Sequence, residues 1–239
     1  MKQRMIVQPP ARSYHRRVRV STHGERIPIV GLGAGTHAKS LVEALRSTGE
    51  FDLVALVDDD PARVGTELLG YPVRGPEALT ELRGAGVSDA FAAIGGVGSS
   101  AARRAAYARL LEVGFELPPI LHEAAIVSPW ASLGRGCHVL ARAVINAGTE
   151  IGENTIVNTG AIIEHDCRVG AHAHVAPGAL IAGLVEIEDD AHVGIGAVVI
   201  QGIRIGAGAL VGAGAVVVDD VHPGARVAGV PARELPQSA

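Results

Sequence analysis

The sequence predicts two architectures in one chain: a Rossmann-like α/β unit over residues 26–121, then an all-β parallel solenoid over 122–239. Three observations carry this. From Val127 to Val217 every sixth residue is aliphatic, for sixteen consecutive steps, and Pro223 ends the run. Residues 26–121 instead alternate short apolar runs with helical spacings, the pattern of a small parallel sheet. The composition fits both halves, with 31 glycines for frequent turns and only 3% aromatic residues.

Residues 1–25 are irregular and basic, with Arg12, Arg16, Arg17 and Arg19, and read as an extension. They lack the apolar core of a secretory leader. The run IPIVGLG at 27–33 reads as the first strand. It leads into GTHAKSLVEALRSTG, where His37, Leu41 and Leu45 share a helical face and Gly49 is a stop. FDLVALVDDD at 51–60 reads as a buried strand that ends in three carboxylates. PEALTELRGAG is a short helix and SDAFAAIGG a third buried strand. SSAARRAAYARLLEVGF is a longer helix, with Ser99 or Ser100 as its N-cap and Gly114 as its stop. Residues 115–126 form a proline-containing link.

The second half has one rule. Its guide residues are Val127, Leu133, Val139, Ile145, Ile151, Val157, Ile163, Val169, Val175, Ile181, Ile187, Val193, Val199, Ile205, Val211 and Val217. Four residues after each comes Ala, Thr, Cys, Val or Ile, never a charge. A strict period of six is neither the 3.6 of an α-helix nor the two of a plain strand; it is the period of a hexapeptide β-helix. Three hexads complete a coil of 18 residues, so sixteen give just over five coils. Solenoids of this period are most often acyltransferases. Cys137 and Cys167 fall at inward small-residue positions on different faces. A disulfide or metal role is therefore not expected, and a reducing cytoplasm is. Several outward positions are small (Ala147, Ala171, Gly183), which suits packing against other copies.

Charge and hydropathy exclude other classes. A formal net charge of −4 offers no nucleic-acid surface, and no apolar run nears the roughly 18 residues of a membrane span.

Two constellations can carry chemistry. The first is the glycine turn GLGAGTHAK at 31–39, with Gly33, Gly35 and His37 at a strand-to-helix junction. Such a turn lets a phosphate approach the backbone at a helix N-terminus. Thr36 replaces the last glycine of the dinucleotide fingerprint, which leaves an oxidoreductase reading weak. Asp58 and Asp59 end the next strand, where a carboxylate can accept from a nucleotide's hydroxyl or base-edge donors. The second is IIEHDCRVGAHAHVAPGALIAG at 162–183. By register His165 points outward, flanked by Glu164 and Asp166, as a general base would. Gly183 lies 18 residues on, one coil above His165, where its backbone N–H can meet an oxyanion. His138, His174 and His192 share one column, but no two histidines are five residues apart as a zinc-hydratase solenoid would have them. No metal is therefore expected, and His172 and His192 read as polar surface residues.

Five segments resemble one family: GAGTHAK at 33–39, LVDDD at 56–60, ILHEAAIVSP at 120–129, VNTGAIIEHDCRVGAHAHVAPGALIAG at 157–183 and VAGVPAR at 227–233. Together they resemble the bacterial sugar O- and N-acetyltransferases, which include sialic-acid O-acetyltransferases and nucleotide-linked amino-sugar N-acetyltransferases. The resemblance implies a left-handed β-helix, a homotrimer with active sites between subunits, and acetyl-CoA as co-substrate. It implies His165 as general base tuned by Asp166, with Asn158, His174 and Gly183 around the acetyl group. It also implies that Gly33, Gly35, His37, Asp58 and Asp59 hold a sugar nucleotide. Two departures stand out. Glu123 occupies a position where proline is common, and Gly95–Gly98 (GGVG) replaces polar residues after the third strand. The expectation is N-acetylation of a nucleotide-linked amino sugar. O-acetylation of a free sugar such as sialic acid, and a non-catalytic nucleotide-sugar scaffold, are the alternatives.

Overall fold

The computed structural model describes residues 26–236, so the basic extension lies outside the described residues. The first half is a sheet with helices packed on it. Its elements are β1 (Ile27–Leu32), α1 (Thr36–Thr48), β2 (Phe51–Val57), β3 (Glu67–Leu68), β4 (Tyr71–Arg74), α2 (Ala78–Gly84), β5 (Asp89–Ala92) and α3 (Ala101–Val113). The strand order is β3-β4-β2-β1-β5, parallel except for β3. The chain runs outward from β1 to β2 and β4, then returns to the other side of β1. A reversal of this kind opens a crevice at the carboxyl ends of the strands.

The helices end where glycine permits it. Gly49 and Gly114 take left-handed φ values of 64° and 91° after α1 and α3. The start of α3 differs from the sequence expectation. Ser100 stands at the N-cap, but its hydroxyl makes no cap bond and instead donates to Asp190 Oδ1 at 2.5 Å. The β3–β4 hairpin has no strand signature in the sequence; Leu69 and Gly70 turn it with positive φ.

The second half is a three-faced parallel β-helix of two-residue strands. Face 1 begins with Ile120–Leu121 and His138–Val139, inside the stretch read as a link. It continues through Ile156, His174, His192, Leu210 and Arg226. Face 2 stacks Ile126, Val144, Ile162, Leu180, Val198 and Val216. Face 3 stacks Ser132, Glu150, Arg168, Glu186 and Arg204. The guide aliphatics and the residues four after them form one continuous core, in which Val127 at the base is only partly buried. Both cysteines are buried there as free thiols, on faces 1 and 3. The run outlasts Pro223: Val227 joins face 1 as a last rung.

Corners repeat as faithfully as faces. The third residue after a guide sits in the left-handed region, as at Asn154, Asp166, His172, Leu184 and Asp190 (φ 53° to 62°), or is glycine. The residue before it turns its N–H outward; at Ala171 the Asp189 carboxylate takes that N–H at 2.7 Å.

The sheet domain sits on face 1. Ile120 and Leu140 pack into the same cluster as Ile29, Leu41 and Phe91. At the corner between faces 3 and 1, Arg103 is buried, donating to the carbonyls of Asn154, His172 and Ala173 at 3.1, 2.5 and 3.2 Å. Tyr107 donates to Glu153 at 2.8 Å and Arg104 pairs with Asp190 at 2.7 Å.

Candidate active site

Two places gather the predicted residues. The first is a cleft of about 790 Å³ at the carboxyl ends of β1, β2 and β5, the reversal point of the sheet. Gly33, Gly35, His37, Asp58 and Asp59 all line it, and His174 of face 1 closes its floor. Gly33 holds φ 111° and has Ala93 backbone against it, so any side chain there would both strain and fill the turn.

The carboxylates are already engaged. Asp58 accepts from Ala34 N at 2.7 Å, Asp60 N at 2.9 Å and Arg63 at 3.0 Å. Burial alone would raise its pKa, but the two backbone donors and Arg63 outweigh that and hold it below the usual carboxylate value. Asp58 therefore shapes the glycine turn from beneath. Asp59 takes Arg109 through both oxygens, at 2.8 and 3.0 Å. Arg63 and Arg109 put two guanidiniums on the cleft walls, opposite an α1 N-terminus that carries no acidic residue in its first turn. Sequence reading missed both. Arg63 follows Asp58 by five residues in a turn, which leaves no periodic signal.

The floor of the cleft is a column of neutral histidines. His174 is held by Gly96 O on Nδ1 at 2.9 Å and by Asn158 Nδ2 on Nε2 at 3.0 Å. That fixes the neutral tautomer with the proton on Nδ1. Burial, then the neighbouring His192, lowers its pKa to about 3. Burial and the Arg103 charge lower His37 to about 4. His192 stacks edge-on against His174 at 4.8 Å and is buried, not the surface residue its spacing suggests. His172 is half-buried, bonded to Asn154 and edge-on to Tyr107. Among the described residues, no group of three or more His, Cys, Asp or Glu could hold a metal ion.

The second place is the corner between faces 2 and 3. His165 Nδ1 meets Asp166 Oδ2 at 3.0 Å, with both side chains more than half exposed. Gly183 stands directly above it. A Cβ on Gly183 would lie 2.8 Å from His165 Nε2 and Cε1, so only glycine leaves room for the ring. With Nδ1–H donated to Asp166, Nε2 carries the free lone pair. Gly183 also holds the hexad position whose N–H turns outward, as Ala171 does.

One chain does not join the two places. The corner between faces 2 and 3 is the edge of the prism opposite face 1, where the cleft lies. Their heights nonetheless match: the cleft floor spans the rungs of His138 to His174, and His165 follows the rung between them.

The chain matches three family models. Residues 28–110 match the PglD N-terminal domain, 148–183 the bacterial transferase hexapeptide (six repeats), and 184–218 the hexapeptide repeat of succinyl-transferase. Among solved structures it is similar to a single-site variant of GDP-perosamine N-acetyltransferase from Caulobacter crescentus, in complex with CoA and GDP-perosamine. The identity is 42%, over 88% of this chain and 97% of that one, with a TM-score of 0.82. The acetyltransferase domain of PglB from Neisseria gonorrhoeae, in complex with acetyl coenzyme A, is 34% identical over 88% and 100% of the two chains, with a TM-score of 0.80. WeeI from Acinetobacter baumannii is 27% identical over 87% and 100%, with a TM-score of 0.76. A comparison with curated proteins returns no match. With a PglD-type domain followed by a left-handed hexapeptide β-helix, and 42% identity across nearly a whole relative, the chain belongs to the family of bacterial acyltransferases that contains the sugar N-acetyltransferases.

Proposed function

We propose that the protein transfers the acetyl group of acetyl-CoA to the amine of a nucleotide-linked amino sugar, with GDP-perosamine as the first acceptor to test. The observation that carries this reading is the His165–Asp166–Gly183 corner. His165 Nε2 takes a proton from the sugar amine as its nitrogen attacks the thioester carbonyl carbon. The developing oxyanion accepts from the Gly183 N–H. The intermediate collapses, the C–S bond breaks, and the imidazolium returns a proton to the departing thiolate. Asp166 holds the ring in the tautomer that this requires.

The cleft is the reason to favour a nucleotide-linked acceptor over a free sugar. Arg63, Arg109, the glycine turn and the α1 N-terminus suit a diphosphate, while His37 and Asp59 line the space around it. The separation of cleft and base within one chain favours a homotrimer, in which the cleft of one copy meets His165 of the next. The six stacked aliphatics of face 2 supply a surface for that contact. Asn158, on the corner between faces 1 and 2, would then flank the acetyl site together with its partner His174. Among the described residues no helix is long and apolar enough to cross a membrane, and the two buried free thiols suit a reducing cytoplasm.

The test is His165→Ala. General-base removal predicts a fall in kcat of about 10²–10⁴-fold with acetyl-CoA affinity retained. Turnover within a few-fold of wild type sinks the assignment. Calorimetry that finds GDP-perosamine binding without acetyl-CoA binding sinks the enzyme reading and leaves a nucleotide-sugar scaffold.

A further inference from the structure

The single tryptophan of the chain is in an unusual place. Trp130 is 65% exposed, and Ile126 beside it on face 2 is 64% exposed. Indole is a large apolar body that folding normally covers. Among the described residues no ring contact involves it. Its backbone is nevertheless fixed: Trp130 N donates to Ser128 Oγ and Gly148 N donates to Trp130 O, both at 3.2 Å.

The coil register gives its height. Trp130, Gly148 and Asp166 occupy the same corner position on three successive coils, linked by the corner bonds Gly148 N to Trp130 O and Asp166 N to Ala147 O. Trp130 therefore lies two rungs below the His165–Asp166 pair, about 10 Å at the usual strand spacing. The rung between them offers only Ala147 and Gly148, both exposed. The Asp166 carboxylate leans over Gly148 from above, where a Cβ would come within 2.5 Å of it. The result is a notch with an indole at its floor, small residues at its back and the catalytic pair at its roof.

The other side of His165 has a different chemistry. Gly183 is followed by Leu184, and Ile200 lies one coil higher on the same corner; both are exposed aliphatics. A thioester carbonyl on Gly183 N–H directs the apolar thiol arm that way. The notch is what remains for the amine.

We infer that Trp130 is the platform of the acceptor-sugar subsite, its indole stacking on the apolar face of the hexose ring carried by a neighbouring copy's nucleotide cleft. Dimensions agree. A sugar ring at a van der Waals distance of about 4 Å from the indole leaves about 6 Å. That spans a ring substituent plus one hydrogen bond of about 3 Å to His165. The role is specificity for the acceptor, and it rests on the acetyl-transfer reading given above.

Because the chain has one tryptophan, its intrinsic fluorescence reports on this notch alone. Titration with GDP-perosamine should quench or shift the emission, whereas GDP alone and CoA alone should not. A response to GDP alone puts the base, not the sugar, on the indole; a response to CoA alone puts Trp130 in the thioester groove; no response to any of the three removes it from the site. Each overturns the inference. In kinetics, Trp130→Ala should raise KM for GDP-perosamine roughly five- to tenfold, the scale of one aromatic contact. The kcat and the KM for acetyl-CoA should stay near wild type, and Trp130→Phe should recover most of the loss. Unchanged KM in an active Trp130→Ala enzyme sinks the platform alone. Absence of acetyl transfer by the wild-type protein sinks the underlying reading instead.

Discussion

Faces 1 and 2 of the coil obey the same hexad rule inward and opposite rules outward. Outward on face 1, His138, His174 and His192 stand among Ile156 and Leu210, and all three histidines are buried beneath the chain's own sheet domain. Outward on face 2, every residue from Ile126 to Val216 is aliphatic, and Leu180 is 43% exposed. The difference teaches what each cover is. A covering domain of the same chain arrives with fixed geometry, so it can satisfy polar groups one by one, as Gly96 does for His174. A stripe that is uniformly aliphatic asks only for another apolar surface, which a second copy provides.

The sharpest way to break this comparison is to place a charge on each face. On face 2, Ile162→Arg should leave the subunit folded but separate the copies. Activity should fall at least about 100-fold if the site is shared between subunits, with a monomer mass by light scattering. On face 1, Ile156→Arg buries a guanidinium without the carbonyl acceptors that Arg103 enjoys, and the protein should fail to fold or precipitate. An active monomer from Ile162→Arg would remove face 2 from the assembly.

Acid sharpens the same contrast. His37 and His174 are neutral in the fold, with pKa values lowered to about 4 and about 3 from an ordinary 6.5. The unfolded chain binds their protons first, so stability is complete above about pH 6.5 and is lost as pH falls toward the folded values. Each contributes a loss of about 2 kcal/mol by pH 5. His138 and His192 are lowered too, by burial first and then by neighbouring positive or titrating groups. Urea midpoints should therefore drop between pH 7.5 and 5. Face 2 carries no titratable group in its outward column, so light scattering should find the copies still associated at pH 5. A flat midpoint over that range contradicts the buried-histidine account.

How much of this was legible in advance follows from what makes a signal periodic. The guide aliphatics, the inward cysteines and the stacking of Gly183 over His165 all follow from counting by six, because a parallel coil repeats its register exactly once per 18 residues. His192 was misread because the same counting says outward but not covered. What covers face 1 is decided by a domain nearly 100 residues earlier in the chain. Arg103 left a readable trace: it shares a helical stripe with Ala106, Tyr107 and Leu110, a charge among buried residues. Asp58 was recognised as part of the cleft, yet its actual partners, Ala34 N and Arg63, depend on a turn that no spacing encodes.

The smallest expected effect lies at the edge where face 2 ends. Most left-handed corner positions above His165 are glycine, as at Gly196, Gly202, Gly208 and Gly214, but Leu184 holds φ 62° there with 46% of its surface exposed. A branched aliphatic in that region costs of order 1 kcal/mol, and nothing in the fold of one chain repays it. Its place next to Gly183 explains the cost if the side chain meets the thiol arm of acetyl-CoA. Leu184→Gly should then do two opposite things. The unfolding midpoint should hold or rise slightly, because backbone strain is relieved. The KM for acetyl-CoA should rise about three- to tenfold, the value of one lost aliphatic contact, while the KM for the acceptor is unchanged. The split between stability and affinity is the diagnostic outcome. A variant that loses stability and keeps its acetyl-CoA KM would make Leu184 a packing residue and move the thioester groove to another edge of the coil.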